Sequence, residues 1–232
     1  MSARRTVESG LPPGAEVYLE VRDLAKRYGS RGIFRGVSFQ LKRGESLAVA
    51  GPNGSGKSTL LRILCGLQRP SRGTVVCRVG ETLLDERERR QVMGFVAPDL
   101  MLYEELTALE NLDFFARVRG LPPDPPRLAG LLADVGLAGR EHDLLRTFSS
   151  GMRQRLKYAF ALLHRPPILV LDEPTAYLDE TGVRMVRRFI AQQRAEGILV
   201  FATNEQEELH FGDRVLRLGS PGERHRSQRP EV

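Results

Sequence analysis

No stretch of this 232-residue sequence approaches the ~18 consecutive apolar residues that a membrane-spanning helix needs. The longest such runs, at 168–171 and 198–202, have the length of buried parallel strands instead. Arg4 and Arg5 lead into no apolar segment, so no secretory signal is expected. Cysteine is nearly missing. Cys65 and Cys77 lack the close pairing a zinc site uses, and a disulfide framework is excluded. A reduced, cytosolic setting is the plain expectation. Histidine is scarce too, at 142, 164, 210 and 225. Internal repeats are absent, which excludes a solenoid or a propeller.

What is present is a globular composition, 41% hydrophobic and 28% charged. The length suffices for one core, or for a domain with an added lobe. A net charge of +6 permits an anionic partner without choosing one. Arg184, Arg187, Arg188 and Arg194 fall on one predicted helix, opposite Val183, Val186 and Ile190. Aromatic residues for base stacking are not interleaved with them, so a solvated face is expected and no nucleic-acid partner.

The chain is organised around Gly51-Pro52-Asn53-Gly54-Ser55-Gly56-Lys57-Ser58-Thr59, a complete G-x-x-x-x-G-K-S phosphate loop. It follows a strand-like run at 46–50 and opens a helical run at 59–65, the context the motif requires. Glycines let backbone N–H groups curl inward around a polyphosphate. The helix start adds about half a positive charge. Lys57 is placed to reach the β/γ-phosphates and the Ser58 hydroxyl to meet Mg²⁺. A glycine-rich turn without ligand would not need that strand and helix around it.

Along the chain, residues 1–15 read as a disordered lead. Alternation predicts strands at 16–22 and 36–41, then at 74–79 and 93–97. The segment 85–90 reads as a charged surface stretch. Between about 100 and 160 the composition turns helical. Thr107 and Glu110 form a capping box before a face of Leu109, Leu112, Phe115 and Ala116. Residues 121–126 read as a proline loop. A second helix carries Leu128, Leu131, Leu132 and Val135; a third, from Ser150, carries Leu156, Ala159, Phe160 and Leu163. Strands resume at 168–171, 198–203 and 215–218, around a helix at 179–194 with Val183, Val186, Phe189 and Ile190 inward. Residues 219–232 read as a loose tail.

Two further motifs carry chemistry. The strand at 168–171 runs into Asp172 and Glu173. Successive strand residues face opposite ways, so Asp172 can serve Mg²⁺ while Glu173 faces an attacking water as general base or orienting group. Phe148-Ser149-Ser150-Gly151-Met152, about 20 residues earlier, places hydroxyls and a glycine N–H at a helix start. Taken alone, that stretch is ordinary helix capping.

In this order, and with Ala176-Tyr177-Leu178-Asp179 following, the chain resembles the ATP-binding subunits of ABC transporters over about residues 16–218. The resemblance implies an α/β P-loop NTPase core of the ABC ATPase type, with an N-terminal antiparallel β subdomain and an all-helical lobe. ATP and Mg²⁺ are the implied cofactors. Two such subunits, alike or different, are expected to close head to tail, Ser149, Ser150 and Gly151 of one meeting the γ-phosphate held by the other. Tyr28 matches the family's adenine-stacking aromatic, and Asp179 the residue that communicates across the dimer. The lobe matches the part that docks on a transmembrane permease, here a separate chain, holding the subunit peripherally on the cytoplasmic face. A weaker resemblance, through residues 97–103 and 202–204, is to the haem-exporter ATPases of cytochrome c maturation.

Three departures stand out. The signature reads Phe-Ser-Ser-Gly-Met where the family usually has Leu-Ser-Gly-Gly-Gln. Pro98-Asp99 stands where a glutamine usually approaches Mg²⁺, so Asp99 is the only side-chain ligand on offer there. Asn204 replaces the usual histidine; it can donate a hydrogen bond to phosphate but carries no charge or titrating proton. Slow but real hydrolysis is expected. A non-transport ABC ATPase, as in iron–sulphur assembly, and a weakly hydrolysing regulatory module are the competing readings.

Overall fold

The computed structural model describes residues 15–219 and 224–226, and the disordered lead expected at 1–15 lies almost wholly outside them. β1 (Val17–Tyr28) and β2 (Arg31–Lys42) form an antiparallel hairpin, longer than the alternation at 16–22 and 36–41 indicates. Shifts in its register interrupt that alternation and hide the outer half from a period-2 reading. β4 (Arg72–Val79) pairs with β1, and β5 (Thr82–Leu84) with β4. On the outer edge of β2 runs a short parallel strand, β10 (Arg224–Arg226). The segment read as a loose tail therefore contains a strand, made by pairing with a distant edge rather than by its own pattern.

The second sheet is wholly parallel. Its order is β6 (Met93–Val96), β7 (Ile168–Asp172), β8 (Ile198–Thr203), β3 (Ser46–Ala50) and β9 (Arg214–Arg217). Alternation along these strands sorts the core into two layers. Leu47, Val49, Ile168, Val170, Ile198 and Val200 pack with the hairpin sheet and α1 (Lys57–Leu64). Ala48, Leu169, Leu171, Leu199 and Phe201 pack with α6 (Glu180–Glu196) and the helices described next. Each large side chain so buried contributes roughly 1.5–3 kcal/mol.

α3 (Ala108–Val118), α4 (Pro125–Asp134) and α5 (Ser150–Leu162) are the helices expected between 100 and 160. Thr107 and Glu110 close the capping box. α4 corrects one expectation, because it begins within the supposed proline loop. Asp124 caps it, and Pro125 fits the first helical position, where an N–H has no partner to lose. A second correction is α2 (Glu86–Val92), in the stretch read as charged surface; Asp85 and Glu88 form its capping box. Val183 is only half-buried, and Met185 occupies the inward place with Val186, Phe189 and Ile190. Of the histidines, His164 is buried, and desolvation pushes it down to about 3, so it stays neutral. Burial likewise pushes both thiols up to about 12.

The segment leading into the helices is held by Asn111, which is fully buried. Its side chain accepts from the Tyr103 N–H at 2.9 Å and donates to the Tyr103 and Thr107 carbonyls, each at 2.9 Å. Asn111→Ala strands the Tyr103 N–H, while the Tyr103 and Thr107 carbonyls keep the backbone N–H groups of Leu106 and residue 111. It is expected to cost roughly 1–3 kcal/mol, read as a lower guanidinium midpoint at unchanged slope; a midpoint equal to the parent's would show that water replaces the amide.

Candidate functional site

The C-terminal ends of β3, β7 and β8 finish side by side: Ala50 lies beside Thr203 and Asp172 beside Ala202. In a parallel sheet with crossing connections, this is the end where ligands sit. The phosphate loop leaves β3 and turns into α1 through Gly56, whose φ is +99°. A Cβ on Gly56 would lie 2.4 Å from Ile33 Cγ2, so this position admits only glycine and fixes the β1–β2 hairpin against the loop. No side chain caps the start of α1, and its first turn holds no carboxylate. Its first N–H groups and their partial positive charge are left to an anion. Ser55 Oγ is buried beside them without a partner.

Lys57 is the charge at the centre, only 6% exposed. Its ammonium donates to the carbonyls of Gly51 at 2.7 Å and Pro52 at 3.3 Å, and to Asn204 Oδ1. Asn204 in turn donates from Nδ2 to Asn53 Oδ1 at 2.7 Å and toward Glu173 Oε1 at 3.4 Å. One amide thus connects the loop, the lysine and the acidic strand. Burial lowers the Lys57 pKa, and the carboxylates of Glu173 and Asp172 oppose that shift.

Asp172 and Glu173 separate as adjacent strand residues must. Asp172 continues the 168, 170 side of β7 toward α1, where the Ser58 hydroxyl hydrogen-bonds its carboxylate. It is 2% exposed, and its Oδ1 has no partner. Desolvation therefore raises its pKa despite the Ser58 bond. A buried carboxylate oxygen left empty beside a hydroxyl suits a hard divalent cation. Glu173 is half-buried and turns out of the strand at φ +52°, left-handed for a side chain that favours the other hand. Such strain costs roughly 1–3 kcal/mol and persists only where surroundings enforce it. Here the Glu173 N–H is held by the Ala202 carbonyl at 2.9 Å.

The other expected site residues fall around this centre. Asp99 pairs with Arg62 of α1 at 2.8 Å and is largely exposed, while its charge still acts on Asp172. Beside it, Lys157 of α5 donates to the Pro98 carbonyl at 2.6 Å and the Ala97 carbonyl at 3.3 Å. Tyr28 stands at the hairpin tip, half exposed, with Lys26 Nζ 4.8 Å from its ring and Gln68 donating to its hydroxyl. Ser149 caps α5, accepting from the Met152 N–H at 3.2 Å; Ser150 is exposed next to it. Asp179 caps α6 through the Gly182 N–H at 2.8 Å and accepts from Arg155 at 2.6 Å. Those two donors hold its pKa below the usual carboxylate range. Arg62, Lys157 and Arg155 escaped the sequence reading. Their partners lie 24 to 60 positions away, and nothing local marks them.

Beyond Asn53 and Asn204 the surface opens into a pocket also lined by Thr203, Glu205, Gln206 and Arg217. Among the described residues no helix is long and apolar enough to cross a membrane.

Known proteins resemble this chain in sequence and fold. Residues 34–176 match the ABC transporter family. The linearmycin resistance ATP-binding protein LnrL of Bacillus subtilis is 36% identical over 198 residues, covering 83% of this chain and 63% of its own length. The chain thus spans less than two thirds of that relative. By contrast it spans 99% of the cytochrome c biogenesis ATP-binding export protein CcmA of Vibrio cholerae, at 34% identity over 88% of this chain. Among solved structures, the ATP-binding cassette MJ0796 in a post-hydrolysis state, dimeric and bound to ADP and Pi, superposes with a TM-score of 0.80. It is 26% identical and covers 92% of this chain and 99% of its own. With the phosphate loop, the acidic strand and the two-sheet core in place, these likenesses show that the chain belongs to the ABC transporter family, as an ATP-binding domain.

Proposed function

We propose that the chain hydrolyses ATP as one half of a head-to-tail pair and drives a separately encoded membrane partner, as the motor of an exporter. The observation that carries the reading is the single hydrogen-bonded set of Lys57, Asn204, Asn53 and Glu173, beside the unpartnered Oδ1 of Asp172. Residues 51–59 would hold the phosphates, Lys57 exchanging its carbonyl acceptors for phosphate oxygens. Ser58 and Asp172 would hold Mg²⁺, with Asp99 as an outer group; the ion supplies charge neutralisation on the phosphates. Glu173 would orient or deprotonate water, and Asn204 would serve as a neutral donor to the γ-phosphate. Tyr28 would stack on adenine. Ser149, Ser150 and Gly151 of the second copy would complete the site, with Asp179 at the same junction. Export is supported by what the relatives' names describe, linearmycin resistance and cytochrome c biogenesis export. Attachment to the cytoplasmic face of a membrane would come through the partner.

Glu173→Gln is expected to bind ATP, fail to hydrolyse it, and elute as a dimer at millimolar ATP and Mg²⁺. A monomer under those conditions would refute the paired site. Asn204→Ala is expected to lower the ATPase rate by roughly 100–1000-fold, since one transition-state donor is lost. Parent turnover should show no histidine-type limb, whereas Asn204→His should gain one near pH 6.5. Equal rates and equal pH profiles in all three would remove Asn204 from the mechanism. Asp172→Asn tests the metal seat without nucleotide. Burial raises this carboxyl's pKa, so the charged form weakens the fold once pH exceeds the unfolded value of about 3.9. The variant should melt about 2–4 °C higher at pH 7 in the absence of ligand, while Mg²⁺-dependent nucleotide binding is lost. A lower melting temperature would mean that the carboxylate stabilises the empty fold.

A further inference from the structure

One face of α5 grips the loop that joins Glu173 to α6. Gly151 packs so closely that a Cβ there would lie 3.1 Å from the Tyr177 carbonyl. Arg155 donates to Asp179 Oδ1 at 2.6 Å. The Tyr158 hydroxyl, fully buried, donates to the Pro174 carbonyl at 2.7 Å. Positions 151, 155 and 158 follow i, i+4, i+7, a single stripe along the helix. The loop they hold begins at Glu173, with φ +52°, and contains Tyr177, with φ +64°; neither conformation suits its residue unaided. Arg155 has a second anchor, donating to the Val135 carbonyl at 3.3 Å. A Cβ on Gly136 would lie 2.5 Å from Arg155 Nη1, so glycine makes room for that strut.

The same helix begins at the serine corner, Ser149-Ser150. We propose that Arg155 and Tyr158 are positioning residues that make the serine corner and the Glu173 loop move as one piece. Occupation of one nucleotide site in the pair then sets the reactive geometry at the other. The inference rests on the head-to-tail reading above. In that pair a copy's serine corner touches the partner's nucleotide, while its Glu173 acts on its own. α5 is the rigid connection between the two, and its grip falls on backbone carbonyls and a helix-capping carboxylate, which fix position rather than supply chemistry.

The test compares parent, Tyr158→Phe, Arg155→Met and Arg155→Lys in the full chain. It reads ATP-dependent turnover, the Hill coefficient for ATP, and equilibrium binding of a fluorescent ATP analogue at low protein concentration. Tyr158→Phe and Arg155→Met are expected to bind the analogue within about twofold of the parent. Their kcat should fall by roughly tenfold to a hundredfold, the scale of small misplacements of reacting groups. Their Hill coefficients should fall toward 1 from a parent value above 1, and Arg155→Lys should recover part of both losses. Unchanged kcat and Hill coefficient in Tyr158→Phe and Arg155→Met would overturn the proposal. So would losses matched by equal losses of analogue affinity, or a parent Hill coefficient of 1. Sizing of Glu173→Gln, alone and combined with Tyr158→Phe, separates the two layers. No dimer in the single variant sinks the paired site itself. Dimers in both, with unchanged cooperativity in Tyr158→Phe, sink only the role of α5.

Discussion

A buried ammonium surrounded by neutral acceptors governs the rest of the site. Lys57 has carbonyls and an amide oxygen for company, and the nearest carboxylates act on it only at a distance. Neutral dipoles repay part of its desolvation, and an anion in the same place would repay far more. The arrangement is a cation held ready rather than one already satisfied. It exists because Gly51 carries no side chain: a Cβ there would lie 2.4 Å from the Leu218 carbonyl. The loop can therefore bend back until its own oxygens reach the lysine.

The second constraint is the alternation of a strand. Neighbouring carboxylates would repel each other and blur their roles if they shared one environment. β7 prevents this geometrically. Asp172 stays in register with the strand, facing α1 and Ser58, while Glu173 leaves the strand in a left-handed turn toward Asn204. Two adjacent residues end up with different neighbours, different burial and different work. The apolar residues of β7 and β8 make the division sharp, because they fix which side is which before the acidic pair begins.

What could be read from the residues alone was what is local. The phosphate loop, the Thr107 capping box and the acidic end of β7 each declare themselves within ten positions, and each forms as its spacing dictates. The losses have physical reasons. α2 has too few apolar residues to show a helical period, although Asp85 and Glu88 carry the capping signal at the right separation. Proline at 125 and 126 looked like a loop because a helix tolerates it only in the first turn, which is where it falls. β10 owes its existence to an edge of β2 nearly 190 positions earlier. Within the site, Arg62, Lys157 and Arg155 look like any surface cation until the fold brings their partners close.

Lys157 holds main-chain oxygens at 97 and 98, not side chains. Such a clasp is indifferent to which amino acid occupies those two positions, since every residue offers the same carbonyl. The contact between α5 and the segment after β6 can thus persist while the side chains along that segment drift. A chain in that situation is free to trade one side chain for another at 97 and 98 without redesigning its mechanics.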